Sequence, residues 1–165
     1  MAKDFREYLV EVSRHELFGR VFKELAIGSK VLISFQASNA HGCTPEETLD
    51  DVYAYTQWEV SLRATKPAID VPRAGAWDFL KHNYWAKPFD KPDFQRAMTA
   101  VNIPTSHCQQ ILEDVIEYAL LKKQLESEDD IRLIEADEEV KKYTKNAQTG
   151  CSGCGGQKTI KTKPE

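Results

Sequence analysis

The residues best suited to chemistry lie near the C-terminal end of the chain, in Gly150-Cys151-Ser152-Gly153-Cys154-Gly155-Gly156. Cys-x-x-Cys spacing lets two thiolates reach one metal ion, or each other as a disulfide. Glycines beside the pair admit positive φ, so backbone amides can turn toward the sulfurs. A structural zinc site or an Fe–S cluster needs about four ligands, and a second Cys-x-x-Cys is absent from the sequence. Zinc, copper(I) and an Fe–S cluster are therefore the cofactors to consider, held through Cys151 and Cys154 with help from elsewhere. The candidates for that help are Cys43 with His41, and Cys108 with His107.

These two remaining thiols differ in their surroundings. Cys43 precedes Thr44-Pro45-Glu46-Glu47, which reads as a helix start: Thr44 caps, Pro45 occupies the first turn, and Glu47 closes a capping box. A helix N-terminus would lower the Cys43 pKa and make it the more reactive. Cys108 falls on an apolar stripe and reads as a buried, inert thiol. The tail pair does not resemble a thioredoxin-type site, in which the cysteines open a helix and draw on its dipole. His15, between Arg14 and Glu16, reads as a surface residue. Nucleotide-binding glycine loops, His-Glu-x-x-His and Gly-x-Ser-x-Gly are all absent, so the sequence gives no ground for an enzyme.

Around these residues, 165 positions with 41 % hydrophobic and 29 % charged side chains suit one globular domain with a tail. The N-terminal residues carry charges of both signs and no apolar centre, which places the chain in a cytoplasm where free thiols persist. Apolar runs are too short to span a bilayer. The net charge of −4 does not favour nucleic acid. Aromatics interleave with lysines over 77–96, but the aspartates there and the helical spacing favour core over base stacking. Charge is uneven: 113–139 holds eleven acidic and three basic residues, and 140–165 holds six lysines and one glutamate.

Three- and four-residue spacing of Phe5, Tyr8, Leu9, Val12, Leu17, Val21, Phe22 and Leu25 predicts one long helix over 3–27, stopped at Gly28. Alternation over 31–37 predicts a strand, the capped segment from Thr44 a helix, and alternation over 58–64 a second strand. A parallel pair would then need a right-handed crossover. Short helices follow near Trp77 and after Asp90, and a long one runs from Ser106 to about Leu125, capped by Ser106 with Gln109. Leu133, Ala136, Val140 and Tyr143 form a two-heptad seam suited to a docking helix or a homodimer contact.

The expected fold is thus α+β and predominantly helical, with an all-helical bundle as the alternative. Its divisions are a compact domain at 1–126, a charged helix at 127–146 and a flexible tail at 147–165. The expected function is a small accessory protein whose Cys151/Cys154 arm handles metal, sulfur or disulfides at a client protein. The competing expectation is a regulatory or structural interaction module without chemistry, contacting its partner through Leu133, Val140 and Tyr143.

Overall fold

The computed structural model describes residues 2–28, 31–64, 76–90 and 97–135, all within one compact unit, Met1–Glu135. The chain there is mostly β. Seven strands form two antiparallel sheets, and two α-helices accompany them. The strands are β1 (Glu11–His15), β2 (Gly19–Phe22), β3 (Glu24–Ile27), β4 (Val31–Gln36), β5 (Gln57–Ala64), β6 (Ala97–Pro104) and β7 (Arg132–Ile134). The helices are α1 (Ala76–Leu80) and α2 (Thr105–Leu121).

This architecture corrects the helical expectation, beginning with the N-terminus. In place of a helix over 3–27 there is a short 3-10 turn, Phe5–Tyr8, and then three strands. The physical reason lies in the joints. Gly19 takes φ +80, which closes a tight turn between β1 and β2. Lys23 separates β2 from β3, so Phe22 and Leu25 belong to different strands and their interval of three arises from a change of phase. The backbone groups are then satisfied across strands, β1 with β2 and β3 with β4.

The capped helix expected from Thr44 is also absent. The Thr44 amide donates to the Gln57 carbonyl, the Thr56 amide donates back to Thr44, and the Thr44 hydroxyl is spent on the Gln57 side chain. Only a 3-10 turn, Val52–Ala54, follows, capped by Asp51. The two strands expected on either side do form, but β4 and β5 are adjacent and antiparallel, so no crossover is needed.

The five-stranded sheet runs β6-β5-β4-β3-β7. Its period of two sends alternate residues to opposite faces, both of them buried along β3 and β4. Leu25, Ile27, Ile33, Phe35, Trp58, Val60, Leu62 and Met98 join one core with Ile111, Leu112, Val115 and Ala119 of α2. Glu24, Ser34, Ser61 and Arg63 occupy the alternate positions, where Arg63 pairs with Glu24 and Ser61 with Thr99. The Ser106–Gln109 box does not cap α2. Pro104 holds the cap position, and Gln109 accepts the Phe5 amide instead.

Past α2, the expected charged helix at 127–146 is not formed where the structure describes it. Ser127 and Asp130 make a capping box on the 3-10 turn Glu128–Asp130, and β7 then pairs with β3. Leu133 is a strand residue packed against the core, opposite Leu25. The helical seam through Leu133 is therefore withdrawn, while Val140, Tyr143, Cys151 and Cys154 lie outside the described residues. Among the described residues no helix is long and apolar enough to cross a membrane.

Candidate functional site

Chemistry at the cysteines of the body is suppressed by their position. Cys43 is fully buried, and its thiol donates to the carbonyls of Ser38 and Pro45 at 3.2 and 3.3 Å. No helix follows it to stabilise a thiolate, and burial pushes the thiol up from its ordinary range. The sequence expectation of a reactive Cys43 is thus reversed. Cys108 is buried as expected, its thiol also pushed up by desolvation.

His41 shares a loop with Cys43 without forming a ligand set. Its Nδ1 lies 2.6 Å from the Ser38 hydroxyl. That pair has the residue types of a nucleophilic dyad, but Ser38 is fully buried and its oxygen also accepts the Ala40 amide. A Cβ on Gly19 would come within 2.3 Å of the same oxygen, so nothing else fits there. The contact is a turn brace. Among the described residues no group of three or more His, Cys, Asp or Glu side chains could hold a metal ion. The metal-binding expectation thus finds no site within the described residues, while Cys151 and Cys154, to which Cys43 and His41 were to add ligands, lie outside them.

The same loop organises a different feature. Arg20 on β2 is 1 % exposed and spans it, donating to the carbonyls of Leu49 and Ala37 and to the Tyr55 hydroxyl. Its guanidinium lies over the Phe22 ring at 4.5 Å. The Tyr55 hydroxyl in turn accepts the Leu49 amide and donates to the Glu47 carbonyl. These bonds lock loop 37–55 against the β1–β2 hairpin.

At the far end of that hairpin the turn Glu16-Leu17-Phe18 is held from both sides. His15 Nδ1 accepts the Leu17 and Phe18 amides at 3.0 and 3.4 Å, and the Asn39 side chain donates to the Glu16 carbonyl at 2.7 Å. Thr48 fixes Asn39 through two further bonds. Yet Leu17 and Phe18 are 76 % and 74 % exposed, the highest values for large apolar side chains among the described residues. Beside them an open cleft of about 410 Å³ is lined by Arg14, His15 and Glu16 of the hairpin and Asn39, Glu46, Glu47 and Thr48 of the loop.

Sequence reasoning missed this site because Leu17 fits a helical stripe, which assigned it to the core. The available signal was the glycine that ends Leu17-Phe18-Gly19, a turn marker inside the supposed helix. No protein-family model, curated protein or solved structure matches the chain.

Proposed function

We propose that this chain is a small cytoplasmic accessory protein whose β body docks on a partner protein through the β1–β2 hairpin tip. One observation carries this reading: two large apolar side chains are displayed to solvent on a turn fixed by side-chain hydrogen bonds. Scattered exposed apolar residues need no explanation, but an apolar pair on a preorganised projection loses little entropy on binding. Such side chains become anchors when a partner's pocket receives them. The docking role assigned from sequence to the 131–143 seam passes to this tip.

A photo-crosslinking residue placed at position 18, with one at exposed Lys122 as control, tests the reading in cells. A discrete adduct is expected at 18 and absent at Lys122. The Leu17→Ser/Phe18→Ser double variant should lose the natural interaction while keeping its stability within about 0.5 kcal/mol. Adducts of equal yield and pattern at both sites would refute the docking role.

The Cys151-Ser152-Gly153-Cys154 sequence favours a second activity for the same protein, thiol/disulfide or sulfur handling at the docked partner. Its cysteines sit among glycines with no apolar neighbour, in contrast to the buried pair of the body. Native alkylation followed by mass spectrometry should label Cys151 and Cys154 first, Cys43 far more slowly, and Cys108 last. Mild oxidation should join the first two in an intramolecular disulfide. Labelling of Cys151 no faster than that of Cys43 would remove this second activity.

A further inference from the structure

The surroundings of the hairpin tip indicate what kind of surface receives it. Glu11, Glu16, Glu46, Glu47 and Asp50 cluster on the hairpin and the adjoining loop, all exposed. Against these five carboxylates stands Arg14, whose guanidinium is already shared between Glu11 and Asp50 at 2.8 and 2.9 Å. The tip is therefore an apolar knob in an acidic field. An anionic membrane surface would be repelled by that field, and a neutral apolar pocket would leave the carboxylates facing low-dielectric protein without partners.

Resting on the docking reading above, we infer that the partner is a protein presenting an apolar cleft for Leu17 and Phe18, rimmed by lysine or arginine. The two components act separately. Burial of Leu17 and Phe18 supplies contact energy, while opposed charges at the rim set orientation and speed encounter. Glu46 and Glu47 of the loop line the cleft together with Glu16 of the hairpin, so the basic rim meets carboxylates from both elements.

Cyclodextrins test this with the full-length protein, because each offers an apolar cavity whose rim charge can be chosen. The probes are amino-substituted, unmodified and carboxymethyl β-cyclodextrin, titrated while the amide resonances of Leu17 and Phe18, the Leu17 methyls and the Phe18 ring protons are followed. Shifts at both residues are expected, with the amino host binding about tenfold more tightly than the carboxymethyl host. That ratio should collapse in about 1 M salt, where the Debye length falls to about 3 Å. Glu46→Lys/Glu47→Lys should narrow or invert the ranking, and Leu17→Ser/Phe18→Ser should abolish shifts with every host.

Equal binding of all three hosts at the tip would leave apolar docking intact and overturn the basic rim. Shifts with no host would overturn both. Capture of the protein by anionic phospholipid vesicles through Leu17 and Phe18 would replace the protein cleft by a membrane. Concentration-dependent dimerisation abolished by the double serine variant would replace it by a second copy of this chain.

Discussion

Arg20 shows how one side chain determines whether the hairpin is held. A buried guanidinium is costly unless its donors are met, and here two backbone carbonyls and a phenol take the two terminal nitrogens, while Nε has no partner. Arg20→Ala would leave the Leu49 and Ala37 carbonyls without that donor. The expected loss is about 3 kcal/mol by chemical denaturation, and a loss under about 1 kcal/mol would contradict the locking role. Arg20→Lys should not restore it, since one ammonium cannot reproduce a planar fork aimed at separate acceptors. His41, in the loop that Arg20 locks, makes stability pH-dependent. Burial lowers its pKa from 6.5, opposed by the Glu59 carboxylate and assisted by Arg20. The unfolded chain therefore takes up a proton near pH 6.5 that the folded chain resists. His41's contribution is complete above that pH and is lost as pH falls through the depressed folded value. Urea titrations at neutral and mildly acidic pH should show a larger drop for the wild type than for His41→Gln. Equal drops would show that His41 is not the group responsible.

Among the elements, the β1–β2 hairpin depends on Gly19 in two ways at once. Its φ of +80 is a conformation that a side chain disfavours, and the Cβ of an alanine would meet Ser38 Oγ at 2.3 Å and Ala40 Cβ at 2.8 Å. Gly19→Ala is expected to cost about 2 kcal/mol or more and to loosen the tip against loop 38–50. Hydrogen exchange would register this as faster exchange at Leu17 and Phe18, and unchanged exchange there would count against the packing argument. The elements also show what sequence can express. Strands β4 and β5 were legible, because Trp58, Val60 and Leu62 alternate with polar residues and the sheet preserves that alternation. The N-terminal strands were not, because β2 and β3 are each four residues long and their junction resets the phase. At Thr44 a sound local cap signal lost to a long-range pairing with Gln57, which no window around Thr44 could contain. The state of Cys43 was inverted because the stabilising helix never forms, leaving desolvation unopposed.

At the scale of the whole molecule, the boundary of the folded body follows from which backbone groups need partners. Periodicity places the end of the compact domain at 126, after the last turns of α2, whereas the sheet continues through β7. Glu24, Leu25 and Ala26 of β3 pair with Ile134, Leu133 and Arg132, so β7 covers an otherwise open strand edge. Leu133 and Ile131 also pack on the core. The turn before β7 is tied to the N-terminus as well, since the Lys3 amide donates to Glu128. A chain ending at Glu135 keeps all of these contacts, and one ending at Glu126 loses them together. The shorter chain should melt several degrees lower, consistent with a loss of about 2 kcal/mol or more, and should aggregate more readily through the uncovered β3 edge. The longer one should match the full chain by the same thermal scan. Equal melting of both truncations would mean that β7 adds nothing to the sheet and that the body ends with α2.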